Sequence, residues 1–318
     1  MSVDKMSSER RIPLVLVSGF LGSGKTTFLN HLFDSFPELK FGVIVNDFGE
    51  LGIDAAELNT ADGTVVHELN NGQIFCSCLA GSFIKSVSAY ADLDIDYLLV
   101  ETSGLAKPSP LLEIIEAIRK MSGERFSYHG MISLVDSGTY LKLSEVLKAV
   151  NEQIAYSDIV VLNKVDTADA GTVKRAEMKI LSVNPDAEII RTEFGRIERE
   201  VFLSLEMKEQ IPGPDRRYAG WGDAGRPVPV LLRSESPVKM AALEDFVNNP
   251  GGDFLRMKGR LNTDAGFVFV DFTVAGGKIN KNISKSSAEE GLVIILPADD
   301  SIVAAVKQRA LEIFTLVA

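Results

Sequence analysis

Nine residues near the amino terminus, Gly19-Phe20-Leu21-Gly22-Ser23-Gly24-Lys25-Thr26-Thr27, satisfy the pattern G-x-x-x-x-G-K-[ST]. Glycines at this spacing let a backbone wrap a phosphate chain, so that successive N–H groups and a helix N-terminus face its oxygens. Gly19, Gly22, Ser23, Gly24, Lys25, Thr26 and Thr27 are therefore candidate nucleotide contacts. Lys25 would neutralise β- and γ-phosphate charge, and Thr26 would ligate Mg2+. A second string, Asn163-Lys164-Val165-Asp166, directly follows an apolar run. Its aspartate can accept two hydrogen bonds from the ring N–H and exocyclic amine of guanine, whereas adenine would leave that acceptor unpaired. Asn163, Lys164 and Asp166 thus predict that the nucleotide is GTP.

Three further clusters surround these strings. Asp96 to Gly104 is an apolar run delivering an acid and then a glycine. Glu101 there is placed to hold a water of Mg2+, and the Gly104 N–H to sense the γ-phosphate. Asn46-Asp47-Phe48-Gly49-Glu50 puts two carboxylates around a glycine, which beside a triphosphate makes sense through a bridging cation. Asp47 and Glu50 join Thr26 and Glu101 as candidate metal ligands; Lys25, Glu101 and Asp47 form the candidate catalytic set. Cys76 and Cys78 are the only cysteines. In an extended segment residues i and i+2 point the same way, so both sulfurs could reach one Zn2+, Co2+ or Ni2+. Two ligands do not complete such a site, and His67, Asp47, Glu50 or a second subunit would have to supply the rest. Inert packing and redox chemistry stand beside metal binding as readings of the pair.

The elements that must carry these residues alternate. Apolar runs at Leu14 to Ser18, Phe41 to Asn46, Thr64 to Glu68, Ile95 to Val100, Met131 to Val135, Ile159 to Leu162 and Ala187 to Arg191 read as strands. Most are too uniformly apolar to be half-exposed, as in a parallel sheet covered on both faces. Helical spacing covers Thr26 to Ser35, Pro110 to Met121, Tyr140 to Val150 and Thr172 to Asn184. The fold class is α/β: a P-loop NTPase with a doubly wound, mostly parallel sheet, followed by a smaller α+β domain. Residues 1–210 form the nucleotide domain, a Pro/Gly-rich linker runs over 211–229, and 230–318 form the second domain. In the latter, Val230 to Arg233, Gly266 to Val274 and Gly291 to Leu296 read as strands, Gly276-Gly277 as a hairpin turn, and Lys239 to Val247 and Ser301 to Phe314 as helices.

Composition narrows the classes of function. Over 318 residues, 33 basic and 44 acidic side chains give a net charge of −11. That argues against a nucleic-acid binder, which needs a basic face. With 46% hydrophobic and 24% charged residues, the chain can bury a sizeable core. The apolar run Pro13 to Val17 is too short for a secretory signal, and no stretch approaches the roughly 18 to 20 apolar residues of a membrane-spanning helix. A soluble protein of a reducing, cytoplasmic compartment is expected.

In this order and spacing the motifs resemble the CobW-type GTPases, relatives of the nickel-insertion GTPases of hydrogenase and urease. Gly19 to Thr27 looks like the family's P-loop, Asn46 to Glu50 like its N-[ED]-F-G-E, Glu101 to Gly104 with Pro108 like its E-x-x-G-x-x-x-P, and Asn163 to Asp166 like its guanine-reading motif. Lys258-Gly259 and Phe267-Val268 look like its C-terminal domain. The family's usual C-x-C-C falls here on Gln73 to Cys76, so that Cys76 alone is in register and Cys78 is an off-register substitute. No histidine follows His129, where many relatives carry a histidine-rich stretch. The resemblance implies slow GTP hydrolysis coupled to delivery of a metal or metallocofactor to a client metalloprotein or corrinoid protein, with a nucleotide- or metal-dependent dimer as a further expectation. The alternative is a nucleotide-switched interaction module that activates its client without binding metal itself. A small-molecule kinase would leave Asp166 unexplained.

Overall fold

The computed structural model describes residues 11–46, 64–69, 80–121, 125–212, 227–234, 236–274, 276–281 and 290–317. These divide into two compact units, 11–212 and 227–317.

In the first unit, seven strands form one sheet, every pair in it parallel: β1 (Ile12–Gly19), β2 (Phe41–Asn46), β3 (Val65–Leu69), β4 (Tyr97–Glu101), β5 (Phe126–Asp136), β6 (Ile159–Asn163) and β7 (Glu188–Arg191). Their order is β3-β2-β4-β1-β5-β6-β7. The helices between them are α1 (Lys25–Ser35), α2 (Ala80–Ala89), α3 (Pro108–Met121), α4 (Tyr140–Val146), α5 (Lys148–Ala155) and α6 (Ala170–Val183), with α7 (Arg199–Leu203) after β7. The uniformly apolar strands are buried on both faces. Leu14, Leu16, Leu98 and Val100 pack with Phe83, Leu111 and Ile115 on one side. Val15, Val17, Leu99 and Leu134 pack with Phe28, Leu29 and Leu32 on the other.

The strand order creates the crevice that a ligand needs. β1 and β4 are neighbours, but the chain leaves β1 through α1 towards β2 and leaves β4 through α3 towards β5, on opposite sides of the pair. Such a reversal opens a cleft at the carboxyl ends of the two strands. Gly19 ends β1 and Glu101 ends β4 at this point, and Val17 is in register with Glu101.

The second unit is an antiparallel sheet of order β11-β10-β9-β12-β8-β13, built from β8 (Val228–Arg233), β9 (Arg256–Thr263), β10 (Gly266–Thr273), β11 (Gly276–Lys281), β12 (Gly291–Leu296) and β13 (Thr315–Val317). Helices α8 (Met240–Asn248) and α9 (Asp300–Ala310) supply Leu243, Phe246, Val306 and Ala310 to the core with Val230, Met257, Val268 and Ile294 of the sheet.

Three expected elements differ. Tyr140 to Val150 is two helices, because Leu147 takes an extended conformation (φ −119°, ψ 103°) between α4 and α5. The last helix stops at Ala310, and the chain then pairs Thr315–Val317 with β8 as an edge strand. The hairpin turn precedes Gly276-Gly277: Thr273 already pairs with Gly276, so both glycines belong to β11.

Candidate functional site

Residues 20–24 leave β1 and turn directly into α1, so Lys25 is the first helical residue. The turn depends on left-handed glycines, with φ of 135° at Gly19, 75° at Gly22 and 106° at Gly24. Two of them also lack room for a side chain: a Cβ on Gly19 would stand 2.4 Å from the Leu134 carbonyl oxygen, and one on Gly24 2.5 Å from Asn163 Nδ2. Gly24 caps α1 without a side-chain bond, and no acidic residue sits in the first turn. The opening amides of an 11-residue helix therefore face the loop without a local carboxylate competing for them. Ser23 Oγ is buried and has no hydrogen-bond partner among the described residues.

Lys25 folds back over this cradle. Its Nζ donates to the Gly19 carbonyl at 3.1 Å and lies 3.9 Å from Glu101 Oε1. Both residues are nearly enclosed, 8% and 3% exposed. Beyond Glu101 the chain is pinned to β1, with the Thr102 N–H donating to the Val17 carbonyl at 2.9 Å and the Thr102 hydroxyl to Ser18 Oγ at 3.0 Å. A Cβ on Gly104 would fall 2.6 Å from the Leu21 nitrogen, so the turn after Glu101 abuts the phosphate-type loop at backbone distance. Thr26 is half-buried and Thr27 exposed.

The Asn163–Asp166 turn is locked to the same loop. Asn163 is 1% exposed. Its Nδ2 donates to the Ser23 carbonyl at 2.9 Å, while its Oδ1 accepts from the Lys164 N–H at 2.9 Å and from the Gly195 N–H at 2.8 Å. Lys164, in a left-handed conformation (φ 59°), donates from Nζ to the Gly22 carbonyl at 2.7 Å and pairs with Asp136 Oδ2 at 2.8 Å. Two of the three side chains expected at the base thus join protein to protein and position the turn. Asp166 is exposed, and its carboxylate has no hydrogen bond or ion pair among the described residues. That leaves it open to a donor pair from solvent. The structure therefore brings Gly19, Gly22, Ser23, Gly24, Lys25, Thr26, Thr27, Glu101, Gly104, Asn163 and Lys164 to one end of one sheet, and Asp166 to the turn beside them.

The nucleotide-binding domain model of CobW/HypB/UreG matches residues 13–191, the stretch that holds the loop, Glu101 and the Asn163–Asp166 turn. The chain belongs to the CobW/HypB/UreG family. It is 31% identical over 242 residues to the zinc chaperone CobW of Pseudomonas aeruginosa, covering 65% of this chain and 63% of that protein. It is 29% identical over 223 residues to zinc-regulated GTPase metalloprotein activator 1 of Dictyostelium discoideum, covering 59% of this chain and 47% of that protein. With the zinc chaperone YjiA of Escherichia coli the identity is 25% over 266 residues, covering 80% and 82%. The chain thus spans less than two thirds of the length of the first two relatives.

Of the expected CobW-type metal ligands, Asp47, Glu50, Cys76 and Cys78 lie outside the described residues. Among the described residues no group of three or more His, Cys, Asp and Glu side chains could hold a metal ion. Mg2+ has a fitting donor set in the Thr26 hydroxyl and the Glu101 carboxylate, both hard oxygen donors, beside the cradle. No helix among the described residues is long and apolar enough to cross a membrane.

Sequence reasoning missed the residues that brace the site. Gln153 of α5, 2% exposed, donates from Nε2 to the carbonyls of Gly104 at 3.3 Å and Ala106 at 3.0 Å. Its neighbour Glu152, equally buried, accepts at Oε1 from the Ser109 N–H at 3.2 Å and hydroxyl at 2.6 Å, at the start of α3. The available signal was a Glu-Gln pair inside an otherwise apolar helical face.

Proposed function

We propose that this chain binds GTP with Mg2+, hydrolyses the β–γ bond slowly, and uses its nucleotide state to deliver a divalent metal, zinc foremost, or a metallocofactor to a client protein in the cytoplasm. The observation that carries the nucleotide part is Lys25, folded onto the Gly19 carbonyl at the head of α1 and 3.9 Å from Glu101. In use, its ammonium exchanges that carbonyl for β- and γ-phosphate oxygens, while the first amides of α1 hold the remainder of the chain. Asp166 accepts from the guanine ring N–H and amine. Gly104 offers its N–H to the γ-phosphate. Mg2+, held by Thr26 and through water by Glu101, would supply charge neutralisation at the β- and γ-oxygens. Hydrolysis transfers the γ-phosphoryl group to water and leaves GDP and phosphate. The names borne by the CobW and YjiA relatives support zinc as the metal. Asp47, Glu50, Cys76 and Cys78 are the residues proposed to hold it, alone or across a nucleotide- or metal-dependent dimer.

Equilibrium binding tests the reading. Wild-type protein should hold GDP and a slowly hydrolysed GTP analogue and reject ATP. Asp166→Asn should lower guanine-nucleotide affinity by at least about a hundredfold, because the donor pair meets a donor. The same variant should gain xanthine nucleotide, whose C2 carbonyl accepts from the new amide. Wild-type protein that binds ATP as firmly as GTP would overturn the proposal.

A further inference from the structure

Among the described residues only Lys164 and Phe194 adopt positive φ without being glycine, at 59° and 58°. Lys164 belongs to the guanine-reading turn. Phe194 lies in the loop after β7, in a left-handed conformation that strains a bulky residue. It is also 59% exposed, so burial of its ring does not offset that strain.

The two turns are joined. The Gly195 N–H donates to Asn163 Oδ1 at 2.8 Å, the Val165 N–H to the Thr192 carbonyl at 3.3 Å, and the Thr192 N–H to the Leu162 carbonyl at 2.9 Å. From the other side, Gly195 is packed against the first turn of α1, where its Cβ would meet Phe28 Cβ at 3.0 Å. The Thr192 hydroxyl closes the loop by bonding to its own carbonyls, including that of Glu193 at 3.1 Å. Phe194 is therefore an exposed aromatic held in a strained backbone between the turn that carries Asp166 and the helix that begins at Lys25.

We infer that Phe194 is the wall on which the purine ring stacks, a base contact distinct from the edge-on recognition by Asp166. The inference rests on the function proposed above. An aromatic face gives a planar base affinity without selecting among bases, because every base has a π-face. Phe194 then supplies affinity, and Asp166 supplies choice. A ligand that covers the ring also accounts for a large apolar side chain kept in solvent in a strained conformation.

Competition binding separates this from a purely structural role. Phe194→Ala should weaken GDP about tenfold, within the range of base–aromatic stacking. Tripolyphosphate, which has the phosphate chain without a base, should bind the variant as it binds wild type. The preference for GDP over IDP should be unchanged, because the edge contacts remain. Phe194→Trp should stay within about threefold of wild type for GDP. Phe194→Gly, free of the backbone strain, should melt no lower than wild type yet bind GDP as weakly as the alanine variant. Unchanged GDP affinity in Phe194→Ala, or an equal loss for tripolyphosphate, would overturn the inference and leave the GTP reading standing. Wild-type protein without affinity for guanine nucleotides would sink both.

Discussion

Lys25 and Glu101 place opposite charges 3.9 Å apart where their side chains are 8% and 4% exposed. Removing such ions from water costs several kcal/mol each, so the arrangement weakens the fold unless something at the site uses it. The proposed triphosphate would, since its oxygens would take the ammonium in a setting of low dielectric. A half-buried ionisable group, His129, lies near the start of β5. His129 Nδ1 contacts the Leu205 carbonyl at 3.1 Å, which can only accept, so Nδ1 carries the proton and Nε2 accepts from Ser127 Oγ at 3.1 Å. Burial holds its pKa below the ordinary 6.5, against a smaller upward effect of the Leu205 carbonyl. The unfolded chain therefore takes up the proton first. Stability is full above about pH 6.5 and declines as the pH falls from there towards the folded value. Thermal melts from about pH 7.5 to about pH 5.5 should show that decline, and it should be smaller in His129→Asn, whose amide can reach the same carbonyl but does not titrate. An equal slope in the variant would assign the acid sensitivity elsewhere.

At the scale of elements, α5 is the brace between the two ends of the site. Its Gln153 and Glu152 hold the turn after Glu101, and it leads through Ser157, whose hydroxyl donates to the Gln153 carbonyl at 2.7 Å, into β6 and Asn163. Gln153→Met keeps volume but leaves the Gly104 and Ala106 carbonyls without their donor, a loss of about 1–3 kcal/mol. The variant should bind the slowly hydrolysed GTP analogue at least about fivefold more weakly relative to GDP than wild type does, since only the former carries the γ-phosphate that Gly104 is proposed to meet. Equal weakening of both nucleotides would reduce Gln153 to packing. The only sequence sign of this brace was the Glu152-Gln153 pair, which does not by itself say what the two side chains hold. Leu147 breaks the expected helix without proline or glycine, burying its own side chain, while Asn151 Nδ2 takes up the Ser144 carbonyl at 2.6 Å. The phosphate-type loop and the parallel strands were legible because glycine spacing and unbroken apolar runs are local properties. β9 was not: its core-facing positions are Met257, Gly259 and Leu261, and the glycine, required because a Cβ would meet the Gly291 oxygen at 2.1 Å, interrupts the alternation. The exposed Leu311 extended the apparent period of α9 past its end at Ala310.

Across the whole molecule, a nucleotide end built from β1, β4 and β6 has to communicate with the metal ligands proposed at Asp47, Glu50, Cys76 and Cys78. Sequence places the first two directly after β2, the neighbour of β4, and the thiols between β3 and α2. Strand adjacency gives the two ligand groups a shared element without requiring contact between them. If nucleotide state alters metal affinity, linkage demands that metal alter nucleotide affinity by the same factor. Zn2+ titrated with and without the slowly hydrolysed GTP analogue should give affinities differing by about fivefold or more, and the analogue titrated with and without Zn2+ should give the same ratio. Cys76→Ser/Cys78→Ser should bring both ratios to one while leaving the analogue's affinity in the absence of zinc at the wild-type value, because none of the residues proposed to hold phosphate or guanine is a cysteine. Identical zinc affinities in the two nucleotide states of wild-type protein would separate the GTPase cycle from metal delivery. A double variant that keeps the ratio would move the metal to other ligands. A ratio seen in only one direction of titration would mean that the two ligands had not been compared at equilibrium, since hydrolysis or metal-driven association of chains had intervened.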